Sequence, residues 1–168
     1  MKILIVYFNK PVFSKKFENA IEKTFGMPVI SARKTFECKT KRKNQCNAEN
    51  YLPFLEKIVF SSDADFVLGI TSKDIYEKGY IAVYGVSAIE KKSAIVSFAR
   101  LKSKIKKQFF ERLLKESVHE IGHLVGLIHC SNDKCAMKCS LGIGDCDYKL
   151  AEFCGKCESE LIKCLERM

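Results

Sequence analysis

The chain holds three histidines, and all of them fall in one run of eleven residues, His119-Glu120-Ile121-Gly122-His123-Leu124-Val125-Gly126-Leu127-Ile128-His129. A spacing of four on a helix stacks two side chains one turn apart, so the imidazoles of His119 and His123 can converge on one ion. A continuing helix would carry His129 about 9 Å further along the axis and some 240° around from His123, out of reach of that ion. Gly126 removes the obstacle, because glycine adopts the left-handed conformation that ends a helix and turns the chain back beneath the metal. Three neutral nitrogens leave a fourth position open for water, which is the coordination of a catalytic zinc rather than a structural one. Glu120 lies beside both helical ligands without being one. It is placed to act as general base on zinc-activated water and then to deliver the proton to a leaving amine.

Nine cysteines are a second source of chemistry, and in a reducing compartment such a set reads as metal ligands before disulfides. Five of them, Cys130, Cys135, Cys139, Cys146 and Cys154, fall within 25 residues, and Cys157 follows. Cys154-Gly155-Lys156-Cys157 is a two-thiolate knuckle, and Cys130 with Cys135 supplies a second pair. Four thiolates close a structural zinc site and leave no open position. Cys139 and Cys146 are rival ligands or free thiols, and disulfide pairing is the alternative for the whole set, since some thermophile cytosols keep disulfides. Cys38, Cys46 and Cys164 read as structural or incidental, with a Cys38–Cys46 bridge across a basic loop as the alternative.

The run 119–129 resembles the long zinc-binding signature of the metzincin metallopeptidases. The Cys130-x4-Cys135-x-Met137 and Cys154-x2-Cys157 that follow resemble the archaemetzincin branch in particular, over 39 of the 168 residues. The resemblance implies a zinc-dependent peptidase acting on a peptide or protein substrate. It implies His119, His123 and His129 as ligands of the catalytic zinc, Glu120 as base, and Met137 as the methionine of the turn beneath the metal. It also implies a second, structural zinc on Cys130, Cys135, Cys154 and Cys157, tying the turn that carries His129 to the C-terminal segment, so that two Zn2+ are the expected cofactors.

Composition narrows the field further. A length of 168 residues with 47% hydrophobic and 29% charged residues suits one domain and excludes a fibrous repeat or long-range disorder. The longest apolar stretch, residues 3–8, is far short of the ~20 that cross a bilayer, so no membrane partner is expected. That stretch also lacks the cleavage pattern of a secretory signal, which makes the cytoplasm the expected location. Lys plus Arg outnumber Asp plus Glu by 29 to 20, for a net charge of +9, with basic clusters at Lys39, Lys41, Arg42, Lys43 and at Lys102, Lys104, Lys106, Lys107. Such a field attracts nucleic acid or acidic peptides, but without a nucleic-acid motif the simpler reading is a solvated face. A metal-dependent nuclease and a catalytically silent zinc-binding interaction module are the competing classes. The glutamate directly after the first ligand favours peptide hydrolysis, and a monomer is expected.

The elements that must position these groups follow from periodicity. Residues 3–8 read as a buried strand, and Ser14 is placed to cap a helix through Phe25 that turns Phe17, Ile21 and Phe25 inward. A strand over 29–32 and a polar, basic loop over 34–45 precede a helix over 47–60 with Pro53 in its first turn. Three strands follow, over 66–71, 80–86 and 94–99. In the helix over 102–126, Phe110, Leu113, Leu114, Val118, Ile121, Leu124 and Val125 share one side, while His119, Glu120 and His123 share the other. A last helix from residue 148 or 150 to 165 is interrupted by the cysteine knuckle. The expected fold is α/β (α+β): a metzincin-like zincin with a mixed twisted sheet, packed helices, an active-site helix and a small C-terminal zinc-stapled subdomain. It forms one peptidase domain over 1–168, with an upper sheet and helix subdomain over 1–126 and a lower zinc-binding subdomain over 127–168. The segment 80–87 is the expected edge for an extended substrate, with Gly85 allowing close backbone approach.

Overall fold

A computed structural model describes residues 1–11, 13–38, 42 and 44–168, so Lys39, Lys41 and Lys43 of the first basic cluster lie outside the described residues. In chain order the elements are β1 (Ile3–Tyr7), α1 (Ser14–Phe25), β2 (Val29–Arg33), β3 (Gln45–Asn47), α2 (Leu52–Phe60), β4 (Phe66–Thr71), β5 (Asp74–Tyr76), β6 (Gly85–Ala88), β7 (Ser93–Ser97), α3 (Lys106–Leu124), α4 (Ile143–Tyr148) and α5 (Gly155–Glu166). The main sheet has the order β2-β1-β4-β7-β6, with β6 antiparallel to β7 at one edge and every other pairing parallel.

Continuous apolar runs make β1, β4 and β7, and each is buried along its whole length. Because successive side chains point to opposite faces, each run feeds two cores. Ile3, Ile5, Leu68 and Val96 pack with Phe17 and Ile21 of α1 and Leu113, Val118 and Ile121 of α3. Leu4, Val6, Val67 and Ile95 pack with Tyr51, Leu52 and Leu55 at the start of α2. The sheet thus has α1 and α3 on one face and α2 on the other, a mixed α/β architecture. Among the described residues, no helix is long and apolar enough to cross a membrane.

Several boundaries differ from expectation, each for a local reason. Ser14 is the first helical residue rather than the cap; Phe13 precedes the helix, and its ring packs against Phe109 and Phe110 with centroids 5.3 Å away in each case. The helix over 47–60 is divided: Asn47 accepts the N–H of Glu49 and opens a 3-10 turn, and α2 begins at Leu52. The catalytic-helix candidate begins at Lys106 rather than 102, because the Ser103 hydroxyl takes the N–H of Ile105 and bonds the Gln108 side chain. The strand expected over 80–86 is Gly85–Ala88; before it, Val83 bridges Ile75 and the Tyr84 carbonyl accepts the Ser97 N–H at 2.8 Å. The last helix starts at the knuckle, with Cys154 as its N-cap, and the separate α4 precedes it. The basic loop ends in β3, which pairs with β5 in a small parallel sheet, and Cys38 and Cys46 form a disulfide.

Candidate active site

The sheet side of α3 carries the apolar residues, so its opposite face is left to His119, Glu120 and His123 at the mouth of a cleft of about 420 Å³. At the C-terminal end of the helix Gly126 has φ +96°. Its N–H bonds the His123 carbonyl at 3.0 Å and the Leu127 N–H bonds the Gly122 carbonyl at 2.9 Å, the paired bonds of a left-handed helix stop. This turn reverses the chain and brings His129 to the pair, with ring centroids 5.2 Å from His119 and 4.8 Å from His123.

The imidazoles are oriented for a cation. His119 Nδ1 faces the Ala136 carbonyl at 2.9 Å and His123 Nδ1 faces the Leu127 carbonyl at 2.8 Å. A carbonyl only accepts, so both rings carry their protons on Nδ1 and present bare lone pairs at Nε2. Those two Nε2 atoms lie 3.2 Å apart, and all three rings offer a nitrogen within 4.8 Å of the others. Two facing lone pairs repel unless a cation sits between them. A tetrahedral zinc with ~2.0–2.1 Å bonds places its nitrogens about 3.3–3.4 Å apart, so the donor set fits that ion. Burial pushes His119 down to about 3 and lowers His123 as well, which keeps both rings neutral and able to ligate.

Glu120 is buried against the edge strand. Burial pushes its carboxyl up to about 8, the neighbouring Glu116 adds to the rise, and a hydrogen bond with Ser87 on β6 opposes it. A Cβ on Gly85 would lie 2.6 Å from both Cγ and Oε1 of Glu120. What approaches the backbone at Gly85 is therefore Glu120 itself, a role for this glycine that the sequence reading had given to substrate. Met137 is fully buried beneath the helix, where any Cβ on Gly122 would collide with its sulfur.

The four sulfurs of Cys130, Cys135, Cys154 and Cys157 lie within 4.8 Å of one another. Cys130 Sγ and Cys154 Sγ are 3.8 Å apart, the separation that ~2.3 Å zinc–sulfur bonds impose in a tetrahedron. Backbone N–H groups of Asn132 and Cys154 point at the sulfurs of Cys130 and Cys135 at 3.5 and 3.4 Å. The Cys154 thiol is lowered to about 7, chiefly by a backbone hydrogen bond from Cys157, while burial raises Cys135 and Cys157. Cys139 lines the cleft and Cys146 is buried beside the Arg112 carbonyl, both outside this cluster. Cys164 packs under the turn at Gly126.

Sequence reasoning missed a buried polar junction. Lys149, fully buried, pairs with Glu116 at 3.1 Å and bonds the Lys138 carbonyl at 3.1 Å. Glu116 also accepts from Ser140 at 2.8 Å and from Cys146. It stands one turn before Glu120 on α3, so this junction fixes the residues after Met137 to the helix. The i, i+4 spacing of the two glutamates was the available signal; nothing in the sequence distinguishes Lys149 from a surface lysine.

Residues 16–163 match the model of peptidase family M54. The archaemetzincin of Pyrococcus horikoshii is 35% identical over 166 residues, covering 92% of this chain and 88% of that one. The archaemetzincin of Thermococcus kodakarensis is 39% identical over 122 residues, covering 69% and 66%. The crystal structure of archaemetzincin from Methanopyrus kandleri superimposes with a TM-score of 0.91 at 31% identity, covering 99% of this chain and 96% of that one.

Proposed function

Because this chain belongs to peptidase family M54, the archaemetzincins, and is a zinc metallopeptidase, we propose that His119, His123 and His129 hold its catalytic zinc and that Glu120 is its general base. A second, structural zinc sits on Cys130, Cys135, Cys154 and Cys157, and the chain works as one domain with its cleft between residues 1–126 and 127–168. Zinc in the histidine site supplies a Lewis acid that makes water a nucleophile near neutral pH and takes up charge on the scissile carbonyl oxygen.

The protein's own groups do the rest. Glu120 accepts the proton of the attacking water and carries it to the amine that leaves; Ser87 on the facing edge strand hydrogen-bonds the Glu120 side chain. Among the described residues no further strand pairs with the outer edge of β6, which lines the cleft, so an extended substrate can add to it through backbone hydrogen bonds.

The observation that carries this reading is the pair of His119 and His123 Nε2 atoms 3.2 Å apart, with both Nδ1 atoms turned to backbone carbonyls, beside the buried Glu120. Glu120→Ala should retain two zinc ions per chain by metal analysis while kcat for an unstructured polypeptide falls about 10²–10⁴-fold. Full turnover by a zinc-replete Glu120→Ala protein would remove Glu120 from the mechanism. Chelator-sensitive hydrolysis of RNA in place of polypeptide would assign the site to a nuclease.

A further inference from the structure

Between Glu90 and Glu111 the sequence has no acidic residue, and Arg100, Lys102, Lys104, Lys106 and Lys107 fall within eight consecutive positions. In the structure this run begins at the cleft. Arg100 lines the same cleft as the histidines and Glu120, and the four lysines that follow it are all exposed on the way to the start of α3. The run is held in place. The Arg112 guanidinium, gripped by both Asp147 oxygens at 2.6 Å, bonds the carbonyls of Leu101 and Lys102 at 3.4 and 3.2 Å, and Ser103 fixes the bend before Lys106. Phe13 packs on Phe109 and Phe110, and Lys16 of α1 lies over the Phe110 ring at 4.6 Å from its centroid.

Little offsets this charge. Arg100 is paired with Asp74 at 2.8 Å, and Lys107 reaches Glu111 only at 3.9 Å. Among the described residues, Lys102, Lys104 and Lys106 have no carboxylate at ion-pair distance. Lys106 and Lys107 also stand in the first turn of α3, where a positive charge opposes the helix dipole, so the ridge does not serve the helix's own stability.

We propose that this ridge is an exosite for an acidic stretch of the polypeptide substrate, so that the enzyme prefers chains carrying Asp or Glu on one side of the cleaved bond; this rests on the peptidase reading above. His119 stands thirteen positions after Lys106 on α3, about 20 Å along the axis, which an extended chain spans in roughly six residues. A polypeptide fits better than a nucleic acid, because the ridge opens from the cleft itself and no aromatic ring on it is exposed for a base to stack on.

Two fluorogenic peptides sharing one scissile segment, with six-residue tails of Glu/Asp or of Gly/Ser placed on either side in turn, test the proposal with the zinc-loaded enzyme. The acidic tail on one side, and not on the other, should raise kcat/KM about ten-fold, chiefly through KM, and the advantage should vanish by about 0.5 M salt. The same tail should bind zinc-loaded Glu120→Ala protein more tightly by fluorescence anisotropy. Lys102→Gln/Lys104→Gln/Lys106→Gln should bring both ratios close to one. Equal cleavage of the two peptides, or an advantage that survives the triple substitution, overturns the exosite and leaves the peptidase reading standing. Tail-dependent binding without hydrolysis of either peptide does the reverse. Single-stranded RNA that binds the ridge more tightly than the acidic peptide, and loses binding in the triple variant, reassigns the surface to nucleic acid.

Discussion

In residues 1–126, β1, β4 and β7 are buried from end to end and helices cover both sheet faces, whereas residues 127–168 have two helices, of six and twelve residues, and much of their interior is sulfur and charge. The first region is assembled by apolar burial. The second packs Cys135, Met137, Cys146 and Cys157 against the core while holding the Lys149–Glu116 pair out of water. Helix α3 belongs to both, giving its apolar face to the sheet and Glu120 to the edge strand β6, and its histidines and Glu116 to the second region. The cleft therefore lies where two kinds of packing meet.

The largest effect should come from the thiolates. Metal binding to a structural site contributes directly to folding, with ~10–16 kcal/mol measured for isolated zinc-finger peptides. In a larger domain that retains its sheet, Cys157→Ser should release one zinc and cost about 5 kcal/mol of stability. Hydrogen exchange should report the loss in residues 127–168 while amides of β1, β4 and β7 stay protected. A variant that melts like the parent with both zincs in place would hand the site to Cys139 or Cys146.

The buried pair is the next test. Lys149→Met strands the Glu116 carboxylate, which keeps only Ser140 and Cys146, and should cost about 3–5 kcal/mol in a denaturant titration. Adding Glu116→Gln removes the stranded charge and should recover most of that loss, since an ion pair replaced by neutral groups is often close to neutral in stability. Failure to recover would mean that Lys149 acts through its bond to the Lys138 carbonyl rather than through Glu116.

The same contrast explains what the sequence disclosed. Buried strands announce themselves as apolar runs, and α3 has a period that sets its two faces apart, so the mixed sheet and the orientation of the helix were legible. The histidine and cysteine clusters were legible because their spacings are local. The contact of Glu120 with Gly85 was not, because it joins a helix to a strand more than thirty residues earlier and leaves no periodic trace. Residues 80–84 read as a strand from composition; in the structure they are held instead by side chains from the far end of the basic loop, with Gln45 bonding the Ile81 carbonyl at 3.1 Å and Arg42 the Tyr80 carbonyl at 3.4 Å. Lys149 was illegible for a different reason: burial of a lysine depends on a partner that only the tertiary fold supplies.

The smallest effect separates the regions by acid. Thiolates and imidazoles must be deprotonated to hold metal, so with zinc on the proposed ligands falling pH should strip the metal and loosen residues 127–168 first. The upper region has its own acid-sensitive pair in Asp74 on β5, whose carboxyl is held below the usual aspartate value chiefly by its hydrogen bonds from Arg100, with Gln45 assisting. A pKa lower in the folded than in the unfolded state means that the contribution is complete above the unfolded value of about 3.9 and disappears as pH falls through the folded value. Arg100 is about half exposed, so solvent screening limits the pair to about 1 kcal/mol. Asp74→Asn imitates the protonated acid. Urea unfolding of the metal-free forms, followed through β4 amides so that zinc release does not enter, should show parent and variant differing by about 1 kcal/mol at pH 7 and 5 and converging as pH falls through the folded value. A gap that persists at the acid end would assign the loss to geometry at residue 74 rather than to its charge.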